Sequence, residues 1–118
     1  MQTNILGEML LSCSTQPMSG FYRDGQCRTS PQDMGNHSVC AVMTDEFLKY
    51  SQSMGNDLIT PAPEYNFPGL KAGDRWCLCA SRWLEAYHAG FAPQVVAKST
   101  SNKALDVIDK EILDQYCI

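Results

Sequence analysis

Two cysteines placed two residues apart, Cys77 and Cys79, are the side chains in this sequence best placed to do chemistry. In an extended chain, residues i and i+2 lie on the same face. The two thiols are therefore predicted to point the same way, with about 6.5 Å between their Cα atoms. Thiols at that spacing can act as nucleophiles or redox groups, or share a metal ion. The spacing indicates a reactive or metal-binding site without choosing between these functions.

A strand followed by a helix is predicted to position these cysteines. Residues 75–80 have the length of a short strand, and Ser81 is the predicted N-cap of the following helix. Apolar residues recur in that helix at helical spacing, and Gly90 suits the left-handed residue that ends it. Cys79 thus precedes a helix N-terminus, where unpaired amides and the helix dipole favour a bound carboxylate or phosphate, or a thiolate.

Binding of a small anionic or polar ligand near the strand-to-helix turn at residues 76–83 is the function that we favour from the sequence. Arginines pair with carboxylates and phosphates, and aromatic side chains supply an apolar wall. The candidate ligand-binding residues are Arg23, Asp24, Tyr65, Arg75, Trp76, Ser81 and Arg82. The structural alternatives are that Asp24 serves a turn with Gly25 and that the tryptophans belong to the core.

A thiol-dependent enzyme is the leading alternative, with Cys79 or Cys77 as the catalytic nucleophile. The sequence offers four basic partners for such a thiol: His37, Arg75, Arg82 and His88. However, His88 falls near the far end of the predicted helix, and no nucleophile signature such as GxSxG is present. Free cysteines also pack in cores as small hydrophobic residues, which is the structural alternative for each of them.

A protein-interaction domain, with a metal site built from cysteine and histidine, is the remaining alternative. The ligand set for such a site is His37, Cys40, Cys77 and Cys79. Zinc prefers four sulfur or nitrogen ligands in a tetrahedron, so it is the metal that this set would suit. The CxC spacing lacks the tight turn that makes paired CxxC motifs diagnostic, and no cofactor is predicted.

The chain as a whole predicts an α+β fold: one compact domain over residues 1–118, with a small sheet packed by helices in two layers. The dipeptide Asp24-Gly25 predicts an N-terminal hairpin. A strand near residues 39–43 then leads into a helix capped by Thr44. Residues 94–98 predict a third strand, parallel to and beside the strand that carries Cys77, because the intervening residues leave room for a crossover.

The remaining predicted elements are a long loop and two short helices. Residues 56–74 contain three prolines, and a loop of this length is usually a binding element or lid. Pro68 and Gly69 suit the centre of a type II turn at its base. A helix capped by Thr100 or Ser101 and a terminal helix over residues 109–117 complete the chain.

The composition narrows the classes of partner and the cellular compartment. Thirteen acidic residues against nine basic residues give a net charge of -4 without a cluster of Lys or Arg, so neither nucleic acid nor membrane is a predicted partner. No basic region followed by an apolar run opens the chain, which predicts a cytoplasmic location. The six cysteines are therefore expected to stay reduced rather than form disulfides. Glycine-rich phosphate loops, HExxH and Rossmann motifs are absent from the sequence.

Five strings in the same order, GFYRDG, VCAVMTDEFL, GNDLITP, FPGL and GDRWCLCASRW, resemble an uncharacterised, mainly bacterial family, domain of unknown function 2237. The resemblance covers about residues 4–116. It implies a small single-domain α+β fold, and it assigns no activity and no catalytic residue. Cys117 lies outside the strings that carry the resemblance.

Overall fold

The computed structural model describes residues 2–118, and its regular elements confirm the α+β fold. The strands and α-helices are β1 Val39–Val42, α1 Asp45–Ser53, β2 Arg75–Leu78, α2 Ala80–Ala89 and α3 Lys110–Asp114. Three short 3-10 helices supplement them: Pro63–Tyr65, Ala97–Ser99 and Asn102–Asp106. No helix in this described part of the chain has the length and apolar character needed to cross a bilayer.

The sheet consists of β1 and β2 in antiparallel pairing, with Cys40 opposite Cys77. Val95 forms a single antiparallel bridge to Ala41 on the other edge of β1. The prediction that residues 94–98 form a strand beside β2 is therefore wrong, because β1 lies between the two segments. The outer edge of β2 is already occupied, since the amide of Cys77 donates to Ser19 Oγ at 2.7 Å.

Both faces of this small sheet are buried, which explains why its strands do not alternate between apolar and polar residues. One face packs against α1 and α2, where Trp83 is fully buried and donates from Nε1 to Pro93 O at 3.0 Å. The other face carries Cys40 and Cys77 and packs against the N-terminal segment. The two-layer arrangement of sheet and helices is confirmed, with the N-terminal segment covering the second face.

Local sequence signals set the ends of the two main helices. The predicted cap of α1 is confirmed, because Thr44 Oγ1 accepts the Phe47 amide at 3.0 Å. Helix α2 ends as predicted at Gly90, whose φ is 85°. Its N-cap, however, is Cys79 rather than Ser81. The carbonyl of Cys79 accepts the Trp83 amide at 3.0 Å, so the helix begins earlier than the cap preference of serine indicated.

The predicted N-terminal hairpin is wrong: in the described chain, Asp24 and Gly25 form a turn without flanking strands. The amides of Cys13 and Ser14 both donate to Gly25 O, at 2.7 and 3.2 Å. These bonds run to the N-terminal segment instead of across a hairpin. Arg23 occupies the left-handed region in this turn, with a φ of 54°.

The predicted third helix is a 3-10 helix, Asn102–Asp106, with Ser101 Oγ accepting the Lys103 amide at 3.2 Å. The terminal helix forms as α3, which is shorter than predicted. In the long loop, Gly69 takes the left-handed conformation that a type II turn requires, with a φ of 80°. A Cβ atom at Gly69 would lie 2.3 Å from Ile59 O, so this glycine permits a close approach of two backbone segments.

Candidate functional site

A cavity of about 220 Å³ opens between the N-terminal turn, the start of the long loop and the strand-to-helix turn after β2. One wall is formed by Gly20, Phe21 and Arg23, a second by Asn56 and Leu58, and the third by Trp76 to Cys79, with His37 completing the lining. Within the turn at residues 76–83, the first four residues therefore line a concave surface. None of the lining residues within the described chain is acidic.

Arg23 supplies the positive charge of this cavity. Its guanidinium carbon lies 5.2 Å from the centroid of the Trp76 ring, which is the geometry of a cation–π contact. Phe67 from the long loop packs edge-on against the same indole, with 5.3 Å between ring centroids. The indole is therefore held between the loop and the arginine. A stacked guanidinium still presents N–H donors at its rim to a carboxylate or phosphate.

His37 is oriented by a buried carboxylate. Its Nδ1 lies 2.7 Å from Asp33 Oδ1, and the side chain of Asp33 is fully buried. Asp33 Oδ2 accepts hydrogen bonds from the His37 amide at 2.9 Å and from Thr29 Oγ1 at 2.8 Å. Burial raises the pKa of Asp33, but these hydrogen bonds outweigh it and hold the pKa below its ordinary value. With Nδ1 engaged by Asp33, Nε2 is the ring nitrogen that remains for other partners.

Cys79 brings a free thiol to the same cavity. Its sulfur lies 3.2 Å from Ser81 Oγ, and its residue is half-buried at the N-cap of α2. Cys79 follows the end of β2, with φ -57° and ψ 127°, and both Cys77 and Cys79 line the cavity.

The sequence matches one protein family over nearly its whole length. Residues 3–117 match the family described as an uncharacterized protein conserved in bacteria, domain of unknown function 2237. The chain belongs to this family. Because the match covers almost every described residue, the cavity lies within the family's domain. A search of the curated proteins found no match.

Four of the six cysteines form two disulfides, Cys13–Cys40 and Cys27–Cys77. The prediction that all six cysteines stay reduced is therefore wrong in this structure. Cys77 lines the cavity but carries no free thiol, which leaves Cys79 as the one free thiol at the site among the described residues. Of the two predicted catalytic cysteines, only Cys79 is in a form that can act as a nucleophile.

Two of the seven predicted ligand-binding residues, Arg23 and Trp76, line the cavity. Ser81 reaches it only through its contact with the Cys79 sulfur. Arg82 points elsewhere, because its Nη1 donates to Met54 O at 3.1 Å at the C-terminal end of α1. The structure thus separates the two arginines that the sequence treated alike.

The other three predicted ligand-binding residues are engaged or exposed outside the cavity. Asp24 accepts from Arg28 Nε at 2.7 Å and from the Gln26 amide at 3.0 Å, so it serves the turn. Arg75 is exposed at the first position of β2, and Tyr65 is 73% exposed in the long loop. His88, considered as a base, is exposed in the last turn of α2.

The predicted metal ligands do not gather as one set in the described chain. His37, Cys77 and Cys79 line the cavity, whereas Cys40 is fully buried and bonded to Cys13. The sequence reasoning missed Phe21, Asn56 and Asp33. For Asp33, the available signal was its i,i+4 spacing from His37. No helix is predicted in this segment, so the two side chains can meet only where the chain turns.

Proposed function

We propose that the cavity beside Arg23 binds a small anionic molecule, with a carboxylate or phosphate group placed against the guanidinium. The observation that carries this proposal is the stacking of Arg23 on Trp76 at the wall of a concave site. Stacking keeps a cation in place over an apolar surface, and although Arg23 Nη1 donates to Met18 O at 3.4 Å, the guanidinium has further N–H donors for a ligand. The pair therefore offers one polar and one apolar contact to the same ligand.

Charge within the site supports an anion, although the chain as a whole carries a net charge of -4. Asp33 and Asp24 are already paired with His37 and Arg28. Asp57, between the lining residues Asn56 and Leu58, accepts hydrogen bonds from the Ile59 and Thr60 amides. The N-terminus of the ten-residue helix α2 adds the positive end of its dipole next to Cys79. Arg23 and the helix start therefore favour a negative group in the cavity, against the opposing charge of Asp57.

The cavity volume supports a small ligand. At about 220 Å³ the site lies below the range of about 300–1,000 Å³ that is typical for drug-sized molecules. A short carboxylic acid or a small phosphate compound fits that size better than a nucleotide. Asn56 supplies a neutral polar group at the wall opposite Cys79, suited to a hydroxyl or amide of such a ligand.

Thermal unfolding measured with phosphate, sulfate, acetate and malonate tests this proposal. A probe at about 100 times its dissociation constant should stabilise the protein by about 2.7 kcal/mol. The same probe should slow alkylation of Cys79 and leave that of Cys117 unchanged, which places the ligand at the cavity. If no probe shifts the unfolding temperature, or if protection is equal at both thiols, the proposal fails.

A thiol-dependent enzyme is a second candidate, because the Asp33–His37 pair and Cys79 contribute to the same cavity. In that function Nε2 of His37 accepts the thiol proton, Asp33 orients the imidazole and Cys79 attacks the substrate. The hydrogen-bond partner of the Cys79 sulfur in the structure is Ser81, so a substrate would have to draw the thiol and His37 together. Equal rates of thiol acylation by an activated ester such as p-nitrophenyl acetate in His37→Asn and in wild type would contradict this candidate.

The cytoplasmic location predicted from the sequence stays a prediction. In that compartment both disulfides would be open as four thiols, because cytosolic reductants keep cysteines reduced. Thiol trapping in intact cells, followed by peptide mapping, would show which state prevails.

A further inference from the structure

The four disulfide-bonded cysteines form a cluster of their own, apart from the main hydrophobic core. Cys40 and Cys77 are direct partners across β1 and β2. The Cys40 carbonyl accepts from Val96, and the Cys77 amide donates to Ser19, so their backbone groups point away from each other. Such a non-hydrogen-bonded pair brings Cα atoms to about 4.5 Å and side chains onto one face.

The N-terminal segment places two more sulfurs over this pair. The Sγ atoms of Cys13, Cys27 and Cys77 all lie within 4.8 Å of one another. Cys40 Sγ lies outside that mutual distance and joins the group through its bond to Cys13 Sγ. Two neighbouring disulfides thus bring four sulfurs from four separate parts of the chain into one buried group.

We infer that, once both disulfides are reduced, the thiolates of Cys13, Cys27, Cys40 and Cys77 bind one zinc ion. Zinc holds four cysteine sulfurs tetrahedrally at about 2.3 Å, which sets sulfurs about 3.8 Å apart. To reach that spacing, the two sulfurs of each opened disulfide move apart, and sulfurs up to 4.8 Å apart across the two disulfides approach each other by about 1 Å. Rotation of the side chains, freed by reduction, supplies movements of this size.

Reduction of the disulfides and binding of zinc each conserve electrons and protons. A dithiol reductant gives two electrons and two protons to each disulfide, so the protein gains two thiols while the reductant closes its own disulfide. Two equivalents of reductant therefore open both bonds. Zinc then replaces the four thiol protons, which pass to solvent.

The surroundings of the four sulfurs favour a metal over free thiols packed together. All four cysteines are buried, with exposed fractions of 5% for Cys13, 0% for Cys27 and Cys40 and 2% for Cys77. A buried thiolate needs a nearby positive charge, and zinc provides it. Zinc would also keep the N-terminal segment fastened to the sheet when the disulfides that hold it are open. This ligand set differs from the one predicted from the sequence, since Cys13 and Cys27 take the places of His37 and Cys79.

Zinc content of the full chain, measured oxidised and after anaerobic reduction with a phosphine, tests this inference. We expect about one equivalent of zinc in the reduced protein and almost none in the oxidised protein. The Cys79→Ser/Cys117→Ser double variant is the matched control and should keep the zinc. Loss of zinc from this control, or a reduced wild-type chain that takes up none, would overturn the inference.

Alkylation of the reduced wild-type chain gives a second measurement that needs no variant to fold. With zinc present, iodoacetamide should modify Cys79 and Cys117 and spare the four clustered cysteines, as mapped by peptide mass spectrometry. Adding a chelator should expose all six. Equal labelling of the four cysteines with zinc and with chelator would refute the site. Neither measurement depends on anion binding beside Arg23, so the two proposals succeed or fail separately.

Discussion

Cys40 and Cys77 face each other across β1 and β2, yet each is bonded to a different cysteine of the N-terminal segment. The disulfides to Cys13 and Cys27 fasten that segment over one face of the sheet, while α1 and α2 cover the other face. In the described chain this leaves Cys79 and Cys117 as free thiols.

Removing one disulfide should destabilise the oxidised protein substantially. The Cys27→Ala/Cys77→Ala variant opens a cross-link between residues 50 positions apart, and loss of such a bond typically costs about 2–4 kcal/mol. Urea unfolding at neutral pH measures the difference. Cys117→Ser is the control, because serine can keep the hydrogen bond to Leu113 O. A change below about 1 kcal/mol would show that the cross-link adds little to the packing of the segment.

Arg23→Gln should weaken binding of any anionic probe found for the cavity about tenfold to a hundredfold, because it removes a charged hydrogen-bond donor. Arg82→Gln is the matched control. That arginine lies on α2 close to the site in sequence, but it donates to Met54 O instead of lining the cavity. Titration calorimetry should show an unchanged dissociation constant for the control. Equal losses in both variants would mean that the anion is attracted by the general surface charge and is not bound in the cavity.

Cys79 should be alkylated before Cys117 in the native, oxidised protein. Burial raises the pKa of the Cys117 thiol, and Asp114 adds to this effect, so less of that thiol is ionised at neutral pH. Cys79 opens to the cavity at the start of α2. Time-resolved mass spectrometry with iodoacetamide would follow both sites. The prediction fails if Cys117 reacts first.

Asp33 should make the stability of the fold depend on pH in the acid range. Its folded-state pKa lies below the ordinary value of about 3.9, so ionised Asp33 stabilises the protein above that value. This contribution is lost as the pH falls through the lowered pKa. Asp33→Asn should be less stable at neutral pH and should lose less stability than wild type below about pH 4. Glu64→Gln, which removes an exposed carboxylate, serves as the control in acid-dependent urea titrations.

Gly69→Ala should cost more stability than Gly55→Ala. Both glycines are left-handed, with φ of 80° and 93°, so each variant carries the conformational cost of about 1 kcal/mol. Only at Gly69 would the new Cβ atom meet a backbone oxygen, Ile59 O at 2.3 Å, whereas Gly55 has open space. Comparing the melting temperatures of the two variants isolates the destabilisation caused by the steric clash at Gly69. Equal melting temperatures would show that the long loop shifts to accept the methyl group.

The sequence predicted those features of the fold that depend on neighbouring residues. The α+β class, the cap at Thr44 and the end of α2 at Gly90 follow from side-chain and backbone preferences that act within a few residues. The CxC spacing and the helix start are also local, and the turn they predict after β2 lines a cavity, whereas ligand binding there stays a prediction. The hairpin at Asp24 failed because the backbone of that turn is bonded to Cys13 and Ser14, which are distant in sequence.

Which residues form the site was decided by tertiary structure. Arg23, Arg75 and Arg82 are alike in the sequence, and only the fold places the first of them over Trp76. The six cysteines permit many pairings, and the choice depends on the N-terminal segment lying across the sheet. Disulfide pairing and the convergence of ligand-binding residues depend on contacts between segments that are distant in sequence. The local sequence of one segment does not determine which other segment it contacts. For that reason the sequence alone pointed to Cys77 and Cys79 together, and the structure shows one bonded and the other free.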